Sequence, residues 1–158
     1  MTARALLVLV LLALTLSPVT AKEFAAGKKR SDKPEALIGK AGKLLLKCSG
    51  IFTVNISGLE TAANAKDVVK NIALTDEQLR KAILAESGTL NAIDAGLDNE
   101  AWDQLKEEID LLLMSSVTYR KKVEELMEKF KDDTKGIELI DEAYEKMNEW
   151  THGYYQDE

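Results

Sequence analysis

The feature that most restricts the fold is a sustained seam in the second half of the chain. Trp102, Leu105, Ile109, Leu112, Ser116, Tyr119, Val123, Leu126 and Phe130 follow one another at intervals alternating between three and four. Such spacing holds all of these positions on one face of an α-helix, whereas a strand would bring every second residue to one face. The seam therefore predicts one long helix, opened by Asp98 as a cap and apolar on the side turned to the core. Ser116 is its one polar member, and with Ser115 beside it this is where a bend is expected. After Asp132-Asp133-Thr134, the residues Ile137, Ile140, Tyr144, Met147 and Thr151 repeat the spacing and predict a last helix.

A seam buries only against other apolar stripes, and the preceding segment supplies them. Asp32 as cap, Pro34 in the opening turn and Glu35 three residues after the cap signal a helix start, and Leu37, Ala41, Leu44 and Cys48 form its stripe. Gly39 and Gly42 within it each cost about 1 kcal/mol relative to alanine unless another helix approaches closely. Ser49-Gly50 is expected to end this helix. Ile51 to Ile56, reading IFTVNI, has strand-like composition but no second such run to pair with, so it is expected to be an apolar linker or a distorted helical turn. Ser57 with Glu60, and Thr75 with Gln78, have capping-box spacing. They predict a second helix carrying Leu59, Ala62, Ala63, Val69 and Ile72, and a short third carrying Leu79, Ala82 and Ile83 that stops near Ser87-Gly88. Thr89 to Gly96 adds a turn or two. The expected fold is all-α: a small bundle of about five helices, with one long helix in the C-terminal half.

The amino-terminal end follows a different pattern. Arg4, the apolar run Ala5 to Leu16, Ser17-Pro18 and small residues up to Ala21 have the layout of a cleaved secretory signal peptide. The run of 12 residues falls short of the roughly 20 that cross a bilayer. The expected organisation is a signal peptide over 1–21, a basic disordered arm over 22–33, a helical bundle over 34–152 and an acidic, aromatic tail over 153–158. The mature product is expected to be secreted and extracellular, with no transmembrane segment. Its 137 residues are enough to bury a core without disulfides.

Charge is unevenly spread. Lys22 to Lys47 holds eight basic and three acidic residues, whereas Cys48 to Glu158 holds 12 basic and 24 acidic. The basic arm offers an anionic partner, such as a glycosaminoglycan or lipid head groups, a place to bind; otherwise it lies against the acidic bundle or in solvent, as short charge runs usually do. Nucleic acid is not an expected partner of a secreted acidic chain.

Residues that carry chemistry are scarce. The one histidine, His152, stands in a polar tail beside Gly153, where no fold holds it against a nucleophile. Cys48, the one cysteine, lies on an apolar stripe, which points to a buried inert thiol; a disulfide dimer through Cys48 is the less favoured alternative. One Cys and one His cannot build a zinc site. The run Asp94 to Asp98 fails as a calcium loop, with Gly96 in place of an oxygen ligand and Leu105 in place of the bidentate glutamate. No glycine-rich phosphate loop exists. No enzyme activity, cofactor or metal is expected. Three processing signals stand out: the N-glycosylation sequon at Asn55-Ile56-Ser57, a dibasic site at Lys28-Lys29-Arg30, and sulfation candidates Tyr154 and Tyr155 beside acids. Two functions fit: a protein-protein interaction module engaging an extracellular or host surface through its seam or acidic faces, or a carrier of a lipid or other apolar small molecule inside the bundle. Whether the seam is covered by other helices bears on the choice.

Overall fold

The computed structural model describes residues 34–86 and 99–152, and all regular structure among them is α-helical. In chain order the helices are α1 (Pro34–Glu60), α2 (Ala65–Ala85), the six-residue α3 (Asn99–Gln104), α4 (Lys106–Lys129) and α5 (Thr134–His152). The expected signal peptide, the expected arm with its dibasic site, the expected caps at Asp32 and Asp98, the expected turns of Thr89 to Gly96, the run Asp94 to Asp98 and the tail with Tyr154 and Tyr155 lie outside the described residues.

The first correction concerns α1, which runs through Ser49-Gly50 without ending there. The IFTVNI segment is neither linker nor distorted turn but regular helix. Its stripe continues from Cys48 through Phe52, Asn55 and Leu59, so burial outweighs the β propensity of these residues, which is only a weak prior. Local hydroxyl and amide groups support it: Thr53 Oγ1 donates to Ser49 O at 3.0 Å and Asn55 Nδ2 to Ile51 O at 2.9 Å.

The second correction concerns capping. Ser57 and Glu60 lie in the last turn of α1 rather than at a helix start. The working box is seven residues later: Asn64, in an extended conformation, accepts from Asp67 N at 3.1 Å, while Asp67 Oδ2 accepts from Ala63 N at 3.1 Å. Thr75 and Gln78 sit inside α2, and Thr75 is fully buried. A capping sequence works only where the preceding chain is free to leave the helix, and burial of Ile72 and Thr75 keeps it helical. Ala63, expected on the stripe, is exposed.

The third correction concerns the seam. Leu105 separates α3 from α4, so the expected single helix is divided at its start, although Ile109 N still donates to Leu105 O at 3.0 Å. No break occurs at the serines. Their hydroxyls donate to carbonyls three residues back, Ser115 to Leu112 O at 3.0 Å and Ser116 to Leu113 O at 2.9 Å. It is Ser115, not Ser116, that is buried.

The four longer helices form an up-down-up-down bundle. Ser49 Oγ donates to Leu111 O at 3.3 Å and Lys129 Nζ reaches Ala62 O at 3.5 Å, so α1 and α4 run parallel. α2 returns antiparallel to α1, and α5 lies parallel to α2, with Gly136 against Ala65. Small residues set the two close approaches: a Cβ at Gly42 would stand 3.3 Å from Leu105, and one at Gly136 would overlap the Ala65 methyl. Gly39 has no such neighbour. Two apolar clusters fill the interior. One joins the N-terminal half of α1 to Ala82, Ile83, Leu105, Ile109 and Leu112; the other joins Leu59, Val68 and Ile72 to Tyr119, Val123, Leu126, Ile140 and Met147. Phe52 touches both, its ring 5.5 Å from that of Tyr119.

Candidate interaction face

Between the clusters lies a buried polar network built by three helices. Tyr119 Oη of α4 donates to Asn71 Oδ1 of α2 at 2.9 Å. The single proton of Thr75 Oγ1 is shared between Asn71 O at 2.8 Å and Tyr119 Oη at 3.1 Å. Asn71 Nδ2 donates to Asn55 O of α1 at 2.9 Å, and Asn55 Nδ2 in turn donates to Gln78 Oε1 at 2.8 Å. Gly58 leaves room for the Asn71 amide, since a Cβ there would stand 2.5 Å from its nitrogen. No buried side-chain nitrogen or oxygen among the described residues lacks a partner. Burial pushes the Tyr119 phenol well above its usual range, with the Thr75 hydrogen bond opposing and the Tyr144 hydroxyl adding to the shift. These groups satisfy one another and tie α1, α2 and α4 in register.

Sequence-predicted residues are therefore placed as follows. Leu105, Ile109, Leu112, Tyr119, Val123 and Leu126 are buried, Phe130 is half-buried at the end of α4, and Trp102 lies in α3. From Leu105 to Leu126 the apolar members of the seam are thus covered by their own bundle. Cys48 is buried, and desolvation pushes its thiol up to about 12 against a small opposing effect of Lys47. A thiol so placed is not presented for a disulfide between chains. Asn55 is only 4% exposed and its amide nitrogen is held by two hydrogen bonds. A glycan on that nitrogen is incompatible with the network.

What sequence reading missed is on the outside. α1 carries no charged residue from Cys48 to Leu59, and α4 none from Leu111 to Tyr119, in a chain that is 30% charged. Both gaps are visible in the sequence, but they gain meaning only from the parallel packing. Because Ser49 meets Leu111, the two gaps stand at the same level, Thr53 beside Ser115. Leu111, Met114 and Thr118 of α4 stand beside Gly50 and Thr53 of α1 on one uncharged face, with Val54 and Val117 on its outer flanks. Val54 is 70% exposed, Met114 63%, Val117 49% and Leu111 43%. Gly50, with open space over it, and Thr53 lie between. Lys47 and Glu60 lie about 140° apart round α1, and Arg120 is turned to α5, beside Tyr144 and paired with Glu124 at 2.8 Å, so these charges flank the stretches without rimming one face. An exposed, methionine-containing apolar patch is the composition of a protein-binding surface.

No described helix is long and apolar enough to cross a membrane, and no three potential metal ligands cluster among the described residues. No protein-family model, curated protein or solved structure shows significant similarity to the chain.

Proposed function

We propose that this chain is a secreted, non-enzymatic helical protein that acts by docking a protein partner on the uncharged α1/α4 face. The observation that carries the reading is the exposure of Leu111 and Met114 beside the uncharged stretch of α1, on a helix whose own stripe is already buried. Such side chains gain about 25 cal/mol for each Å² of apolar surface that a partner covers. The bundle interior offers the lipid-carrier reading less, because the described side chains there engage one another, apolar above and below and polar between. Extracellular action follows from the signal-peptide layout of Met1 to Ala21.

A photoreactive amino acid in place of Met114 tests the face in the medium and on the surface of secreting cells. The expected result is a single adduct of defined mass, lost on adding Val117→Glu and absent when the probe replaces Glu138 on α5. Recovery of only uncrosslinked, folded chain would remove the face as a docking site.

A further inference from the structure

On a second face, and resting on the extracellular reading only for the class of ligand, we infer that the outer side of α1 and α2 binds an extended sulfated polysaccharide. Charge divides the bundle into unlike halves. Residues 34–86 hold seven basic and six acidic residues, whereas 99–152 hold eight basic and 15 acidic. A polyanion is repelled by the α4 and α5 side and meets the molecule on α1 and α2.

Helical spacing gathers the lysines of that half together. On α1, the exposed residues Lys40, Lys43, Lys47 and Val54 fall within a sector of about 60°. That sector is turned to the α2 side: Gly58, at its edge, stands against Asn71, whereas Gly42 and Ser49, across the buried stripe, meet Leu105 and Leu111 of α4. On α2, the exposed residues Lys70, Leu74 and Lys81 fall within about 40°. They lie on the outward side of Asn71 and Gln78, which bond to Asn55 of α1. Because the helices are antiparallel with Asn55 at the level of these two residues, Lys81 comes between Lys47 and Val54, Leu74 beside Val54, and Lys70 beyond them. The lysines thus form a row about 30 Å long. From Ala36 to Leu59, α1 has no acidic residue. Lys43, Lys47 and Lys70 make no ion pair among the described residues. The acids nearest the row are committed elsewhere: Glu77 pairs with Lys81 at 2.6 Å and Asp67 accepts from Ala63 N.

A row of exposed ammonium groups on flexible stems suits a linear polyanion held along its length. An anionic bilayer fits less well. Helices that lie in a membrane interface bury Trp, Phe and Leu there, and the anionic leaflet is the cytoplasmic one, which a secreted chain does not face. Here the centre of the row offers Val54 and Leu74.

Calorimetric titration of the purified full chain with a heparin oligosaccharide of defined length reads this. The expected result is saturable binding that weakens as salt rises and is absent with the desulfated oligosaccharide. Lys43→Glu with Lys47→Glu is expected to lower affinity about tenfold or more. Lys121→Glu with Lys146→Glu, the same change of net charge on α4 and α5, should cost less than about threefold, because those sites lie beyond the screening length. Glu77→Gln frees Lys81 and should tighten binding about twofold, a gain that misfolding could not produce, whereas Glu142→Gln on α5 should not. No saturable binding at about 0.15 M salt, or equal losses from the two double variants, overturns the polysaccharide face. Tighter binding to phosphatidylserine vesicles than to the oligosaccharide, or a loss confined to substitutions at Lys28, Lys29 and Arg30, overturns it too. The adduct at Met114 should persist in K43E/K47E, so failure here and failure of the α1/α4 docking face are read separately.

Discussion

Tyr119 has the largest fully buried side chain in the described bundle, and its hydroxyl bonds to Asn71 and Thr75. Tyr119→Phe leaves Asn71 Oδ1 short of its donor and is expected to lower stability by about 1–2 kcal/mol. A double-mutant cycle with Thr75→Val should return a coupling above about 0.5 kcal/mol; additivity would show that the two hydroxyls act independently. For Cys48 the sign follows from its shift. Folding raises the thiol from 9.0 to about 12, so above pH 9 the unfolded chain releases a proton that the folded chain keeps. This contribution to stability is fully present below pH 9 and is lost as pH rises toward 12, by up to about 1.4 kcal/mol per pH unit. Urea midpoints of Cys48→Ala should fall less steeply above pH 9 than those of the parent, and the folded parent should resist alkylation at pH 8. Equal slopes would show that the thiol is not desolvated. Asn55, committed to Ile51 and Gln78, should carry no glycan in the folded protein, which intact mass before and after an amidase that removes N-glycans will check.

Among the helices, glycine separates close packing from open surface. Gly39→Ala meets nothing within 4 Å and should stabilise α1 by about 0.5–1 kcal/mol. Gly136→Ala would drive a methyl into Ala65 and the capping carboxylate of Asp133, which accepts from Gly136 N at 3.0 Å. A loss of about 1–3 kcal/mol is expected there, and thermal melts of the two variants moving in the same direction would contradict the close α2/α5 approach. Leu112→Ala in α4 should cost about 2–4 kcal/mol. The start of α5 after Asp132-Asp133 and the stripe of α4 were both legible in sequence, because a polar break and an apolar spacing of three and four are local patterns. The length of α1 was not, because Ser49-Gly50 and the β-branched residues after it are weak local signals that burial of Phe52, Asn55 and Leu59 overrides.

At the scale of the molecule, two apolar clusters meet at Phe52 and at the polar network rather than forming separate cores. Three helices contribute to that junction, so neither cluster can open without breaking hydrogen bonds in the other's helices. A single urea transition is expected, coincident by far-ultraviolet circular dichroism and by tyrosine fluorescence. Two separated transitions would show that the clusters unfold as independent units.

By itself the sequence determined the fold class and which face of α4 and of α5 turns inward, since apolar spacing of three and four is a property of each segment taken alone. It also placed Cys48 on a buried stripe, for the same reason. Only tertiary structure decided where α1 ends, that Thr75 and Asn55 face a shared interior, and that Ser115 rather than Ser116 lies at the core. Each depends on contacts between residues tens of positions apart, such as Thr75 with Tyr119. The uncharged face belongs to that second group: its halves are written plainly at 48–59 and 111–119, but the parallel packing of α1 on α4 is what sets them side by side.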